Sequence, residues 1–288
     1  MTSGGSEPAH QLHYDLPPAA LADLISTFYE FRSGGPRFDE VERADRAQIR
    51  FQFSGEGCYI FGDGHCDKAA LVTIVGPTDA PVRSQAAGTL HIFGAGLTPA
   101  GWVAMMGNQA DRFVNRAVDA SLLFGDKVNA LWMRLGAAAD LADRIAIASA
   151  FIQEMLRDLD APPVAFIHSV DRWLTENVDP KVADLQEETG LSPRQLERMT
   201  KRCYGVPPKK LAAKYRALRA AAALARGDEE ADLLVDAFYD QSHLIREVKR
   251  FTGLTPTQLR EGASPLTSMT QEGRHALAGQ VTPLISHS

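Results

Sequence analysis

Between Arg194 and Arg226 the sequence sets ten basic residues against one acid, Glu197. Guanidinium and ammonium groups at that density bind polyanions, and Arg and Gln can also pair with guanine and adenine edges through two hydrogen bonds. Taken alone, a basic run describes a solvated helix face equally well. Its setting sharpens the reading, because the chain as a whole is acidic, with a net charge of −6 over 288 residues. Residues 1–163 hold 13 Lys and Arg against 20 Asp and Glu, whereas residues 164–263 hold 16 against 15. Positive charge is concentrated in one segment of the second half.

The other residues able to do chemistry are scattered. His65 and His91 are solitary, and Cys58 and Cys66 flank His65 at a spacing that matches no zinc pattern. Three cysteines spread over both halves, with Cys203 the third, make neither a disulfide framework nor a zinc-ligating set. There is no glycine-rich phosphate loop, G-x-S-x-G elbow or kinase signature. These patterns assign no catalytic residue, no metal ligand and no cofactor, and the chain reads as a non-enzyme. Trp102 and Trp173 read as core, with Met105 and Met106 able to line an adaptable apolar pocket. The longest apolar stretch, 145–152, falls far short of the ~18 residues of a membrane span. The N-terminus lacks a basic-then-apolar leader, which points to a cytoplasmic protein with no membrane partner.

The elements around the basic segment are helical, and those before it are not. From about residue 21 to 99, short β-type runs (49–53, 71–75, 89–93) are broken by glycines and prolines, as in a small antiparallel barrel or sandwich. Residues 19–32 fit helix or strand. Helical spacing begins past Pro99, over 100–108, 125–135 and 138–159. Asp160, Ala161, Pro162 and Pro163 then break the pattern and mark a domain boundary. Helices follow over 164–176, 182–189, 192–203, 208–226, 231–238 and 241–251, with a last one from about 257.

Within these, VADLQEETGLSPRQLERMTKRCYG has the grammar of a helix-turn-helix. A helix stops at Gly190, Ser192 caps the next, Pro193 takes its first position and Gln195 completes a capping box. Val182, Leu185, Leu191, Leu196 and Met199 form the shared core, which turns Arg194, Gln195, Arg198, Lys201 and Arg202 outward toward a major groove. A second unit, DLLVDAFYDQSHLIREVKRFTGLTP, buries Leu233, Ala237, Leu244, Val248 and Phe251 and exposes Gln241, Ser242, His243 and Arg246, with Ser242 also suited to be an N-cap. Lys201, Arg202, Lys209, Lys210, Lys249 and Arg250 are placed to neutralise phosphates.

Residues 165–262, and above all DQSHLIREVKRFTGLTPTQLR, resemble the AraC/XylS family of bacterial transcription regulators. The resemblance implies a seven-helix domain with two helix-turn-helix units. It also implies base contacts from Arg194, Gln195 and Arg198 in the first and from Gln241, Ser242, His243 and Arg246 in the second. The family's second unit usually opens with Ile-Ala and turns on Gly-Phe, where this chain has Asp232-Leu233 and Ala237-Phe238. FGAGLTPAGWVAMMG and NRAVDASLLFG look like one subgroup of the sensor domains attached to such regulators, which carry effector binding, dimerisation or both.

The expectation is an α+β chain in four parts. Residues 1–18 form a flexible tail, 19–160 a β-rich sensor domain with trailing helices, 164–263 an AraC-type all-α DNA-binding domain, and 264–288 a second flexible tail. Its function would be sequence-specific transcription regulation on double-stranded operator DNA, with a small-molecule effector, a second copy of the chain and RNA polymerase as further partners to consider. The alternative is a small-molecule-binding or enzymatic N-terminal barrel carrying a helical protein-interaction module.

Overall fold

The computed structural model describes residues 10–107, 109–156, 162–227, 234–235, 238, 240–262 and 264–286. Strand β7 (Val82–Leu97) is the spine of an eight-stranded sheet. Its first half pairs with β3 (Arg37–Glu42) and its second with β2 (Ile25–Ser33), while its other edge pairs with β4 (Gln48–Ile60). Strand β1 (His10–Asp15) extends β2, β5 (Cys66–Lys68) and β6 (Val72–Val75) lie on β4, and β8 (Ala117–Asp119) closes the far edge on β6. All these pairings are antiparallel. The β4–β7 ladder slips in register on both sides of Ser54, next to Gly55 at φ +84°. A side chain at Gly55 would put Cβ 2.6 Å from Leu90 Cδ2, so the bulge that bends the ribbon requires glycine there.

The concave face is filled by Phe28, Phe51 and Phe93, with the Phe28 and Phe93 rings stacked 5.7 Å apart. Helix α1 (Pro99–Met106), capped by the Thr98 hydroxyl, presses Trp102 into the same core. Helices α2 (Ser121–Phe124), α3 (Asp126–Gly136) and α4 (Leu141–Leu156) follow, with Leu131, Leu135, Ile145 and Ile152 continuing the apolar layer. Helix α5 (Val164–Glu176) opens the second half, and its Trp173 is buried with the indole N–H donating to the Lys181 carbonyl at 2.8 Å. The cluster that begins at Phe28 runs without a break through Trp102 to Val170, Leu196 and Leu211, so the two halves share one core.

The α+β class expected from the sequence is the one observed. Four local expectations differ. Residues 10–15, assigned to a tail, pair with β2 and lay Leu12 and Tyr14 beside the aromatic cluster of Tyr29, Phe31 and Phe38. Strands β4 and β7 are much longer than their apolar runs, because the hydrogen-bonded ladder continues through polar residues. The ambiguous stretch 19–32 becomes a single 3-10 turn at Ala19–Leu21 followed by β2. Most consequentially, the expected C-terminal tail is folded.

Candidate nucleic-acid interface

Helix α6 (Val182–Thr189) ends at Gly190, whose φ of +64° reverses the chain. Helix α7 (Pro193–Tyr204) starts from Ser192 with the capping box and the N1 proline that the sequence predicts. Leu196, Thr200 and Cys203 face inward, which leaves Arg194, Gln195, Arg198 and Arg202 exposed. Lys201 is partly covered and pairs with Glu197 at 2.5 Å. Gln195 serves two roles, since its Oε1 accepts from the Ser192 amide at 3.1 Å and hydroxyl at 2.7 Å, so only its amide NH2 remains for a base.

Helix α8 (Pro208–Arg226) leads to the second unit, and its alanines let it lie deep, with Ala217 and Ala220 to Ala223 buried. The first helix of that unit, expected at 231–238, falls largely outside the described residues, as do Asp232, Leu233 and Ala237; Leu234, Val235 and Phe238 are described. Helix α9 (Gln241–Thr252) is capped by Asp240, whose carboxylate accepts the His243 amide at 2.7 Å. Ser242 is therefore not the cap and stands exposed on the first turn with Gln241. Arg246, Lys249 and Arg250 are exposed as well, while Leu244, Val248 and Phe251 are buried. His243 is only half-exposed, with its ring 5.7 Å from Phe238 and its Nε2 3.6 Å from Glu247. Helix α10 (Pro256–Glu261) completes the unit with a second capping box at Thr255.

The basic segment divides into outward and inward charges. Lys209 is exposed, but Lys210 is ion-paired with Asp79 of the first half, and that pairing holds the Asp79 carboxyl below the usual range against the opposing effect of burial. A phosphate role for Lys210 is thus met in this conformation by an internal carboxylate. Lys214 is buried, with its Nζ 2.7 Å from the carbonyls of Asp45 and Thr78, and burial lowers its pKa to about 7. Arg216 bridges Asp179 and Glu247 at 2.6 and 2.8 Å, and Arg219 donates to the carbonyls of Leu174 and Asn177. Much of the density noticed in sequence therefore joins elements to one another. The basic face of α7 borders a cleft whose other wall is Gln109, Asp111 and Arg112.

Residues 185–262 match a family described as a helix-turn-helix domain. This segment is an AraC-type helix-turn-helix domain. No curated protein matches the chain. Among solved structures the chain is similar to ToxT from Vibrio cholerae O395, at 9% identity over 88% of this chain and 99% of that one, with a TM-score of 0.47. It is similar to unsaturated fatty acid bound wild-type ToxT from V. cholerae strain SCE256, at 10% identity over 82% and 96%, TM-score 0.47. The AraC-like transcriptional activator CuxR aligns at 15% identity over 77% and 90%, TM-score 0.34.

The AraC-type domain is followed by a helix that sequence reasoning missed. Helix α11 (Pro265–His275) is capped by Ser264 and packs on β1 and β3, and a final turn, α12 (Pro283–Ser286), rests against α5. Only Leu266, Gln271 and Arg274 of α11 are buried, two of them polar, so no apolar periodicity announces the helix. Between α11 and the sheet lies a cavity of about 90 Å³, walled by Tyr29, Phe31, Phe38, Ile92 and Leu266 with Arg43, Arg50 and Arg274 among its polar lining. Cys58 also lines it, and the neighbouring Cys66 thiol together with burial pushes the Cys58 thiol up to about 11. Among the described residues no group of His, Cys, Asp and Glu is placed to hold a metal ion, and no helix is long and apolar enough to cross a membrane.

Proposed function

We propose that this protein is a sequence-specific, DNA-binding regulator of transcription. One observation carries the reading: within an AraC-type domain, two well-capped helices, α7 and α9, each turn an Arg- and Gln-bearing face to solvent while their apolar faces are buried. Arg194, Arg198 and the free amide of Gln195 read bases from α7, and Gln241, Ser242 and Arg246 do so from α9. Arg202, Lys209, Lys249 and Arg250 neutralise phosphates. The residues from 19 to 160 act as the regulatory unit and those from 164 to 263 as the DNA-binding unit, with an effector held in the cavity under α11. Two reading helices per chain suffice for one site, so a second copy is not required for recognition.

The test is selection of genomic fragments by the full-length protein at a salt concentration of ~0.15 M, where phosphate contacts are not exaggerated. An enriched motif that the Arg194→Ala/Arg246→Ala variant no longer selects is the expected result. On that motif, Arg198→Ala should relax preference at particular bases by ~1–3 kcal/mol. Equal weakening on every sequence would remove Arg198 from base reading.

A further inference from the structure

The cleft in front of α7 has a cationic wall that lies outside the DNA-binding unit. That wall is the 3-10 turn Ala110–Arg112, from the first half of the chain. Five cations and two carboxylates line an opening of about 610 Å³. Lys201 is paired with Glu197, and Asp111 is the other acid. Arg112, Arg194, Arg198 and Arg202 are all exposed, and among the described residues none of them makes an ion pair or a side-chain hydrogen bond. Arg194, Arg198 and Arg202 recur every four positions, so they form one row of about 12 Å along the helix. The wall is fixed against that row. The turn packs on α7 through Ala110, which is fully buried. Gly205, where α7 ends, lies so close to the same loop that a Cβ there would come 2.5 Å from Val114 Cγ2. Asn115 ties the loop to Asp79, accepting the Asp79 amide at 3.0 Å and donating to its carboxylate at 2.8 Å.

We propose that this cleft seats one phosphodiester strand of a bound duplex, and that Arg112 contacts a phosphate of that strand from outside the AraC-type domain; the proposal rests on the DNA-binding reading of α7. A B-form major groove is ~12 Å wide, and an α-helix with its side chains is ~10–12 Å across. A helix seated in the groove fills it, so a residue standing beside the helix's outward face meets the strand that borders the groove and not the base edges. Arg112 stands there. Because these arginines are in water, the empty cleft carries no desolvation cost, and a phosphate entering it displaces condensed counterions. A small free anion gains little from exposed charges, whereas a strand already held by α7 brings its phosphates into the cleft with no second cost of association. The DNA footprint then spans both halves of the chain, and a movement of the Ala110–Arg112 turn alters affinity without touching a base-reading residue.

The test uses the full chain and the motif it selects. Affinity is measured by fluorescence anisotropy between about 0.05 and 0.2 M salt, beside phosphate-ethylation interference and Tm. Arg112→Gln should flatten the slope of log affinity against log salt by ~0.9, so that across this range the variant loses ~3.5-fold less affinity than wild type. One phosphate should drop out of the interference pattern, with base preference and Tm as in wild type. Arg112→Lys, which keeps a point charge for the phosphate, should hold the wild-type slope. The proposal is overturned if Arg112→Gln leaves slope and interference pattern unchanged, if it shifts base preference, or if it tightens binding, which would make the turn a barrier to DNA. A wild-type chain that binds no DNA refutes the regulator reading and this contact together, whereas a wild-type chain that binds while Arg112→Gln changes nothing refutes the contact alone.

Discussion

Lys210→Ala distinguishes the two tasks a lysine on α8 can perform. Sequence position suggests a phosphate contact, whereas the structure pairs Lys210 with Asp79 across the junction of the two halves, with side chains 31% and 12% exposed. Hydrogen bonds to charged groups contribute a net ~1.5–3 kcal/mol when buried. Asp79 would keep its bond from Asn115 Nδ2 at 2.8 Å and the nearby Lys214, so removing Lys210 does not strand it. A loss of about 1–2 kcal/mol follows, less than a fully stranded buried carboxylate would cost. For a chain of this size that is a Tm drop of roughly 2–8 °C. The matched measurement is DNA affinity by fluorescence anisotropy between about 0.05 and 0.2 M salt. Each phosphate contact removed lowers the slope of log affinity against log salt by ~0.9. Lys209→Ala, at an exposed position, should lower the slope by that amount with Tm unchanged, and Lys210→Ala should lower Tm with the slope unchanged. If Lys210→Ala instead flattens the slope and leaves Tm alone, then Lys210 leaves Asp79 for DNA, and the argument from the pairing is refuted.

Three further outcomes follow from the same geometry. Lys214 is lowered from its ordinary 10.5 to about 7 by burial, with Arg43 and Arg46 acting in the same direction and Asp45 and Asp79 opposing. Between those two values the unfolded chain holds a proton that the folded chain has released, so stability rises with pH across that window and this group adds no slope below it. Lys214→Met should flatten the difference in urea midpoint between pH 7 and 9.5, and an unchanged pH dependence would contradict the assignment. Ser192→Ala removes the hydroxyl cap of α7 and should cost ~1 kcal/mol in a urea melt while leaving base preference intact, because no base contact is assigned to Ser192. Gly55→Ala should destabilise by more than a surface change normally does, since it combines a positive φ with a close approach to Leu90, and a wild-type urea midpoint would show that the bulge tolerates a side chain.

What could be read from sequence is what is encoded within a few residues. The turn at Gly190, the Ser192–Gln195 capping box and the exposed faces of α7 and α9 depend on neighbours at most four positions away, and the structure places them as the sequence indicates. Class and order of elements follow from the same local periodicities. The charge run was legible as composition but not as role. Lys210, Lys214, Arg216 and Arg219 find their partners at Asp79, Asp45, Asp179 and Asn177, between 37 and 169 residues away, and no spacing in the chain records that. Strand β1 and helix α11 were missed because each is stabilised by what it covers. A six-residue strand and a helix with three buried residues carry too little apolar pattern to be seen alone, and they exist because Tyr14, Leu266 and Arg274 meet the open face of the sheet. Sequence by itself determined that this chain carries capped helices with basic outward faces at α7 and α9. The tertiary structure decided which of its basic residues remain exposed, and it closed a charged cavity with helix α11, because buried ion pairs and cavities are made by residues that only folding brings together.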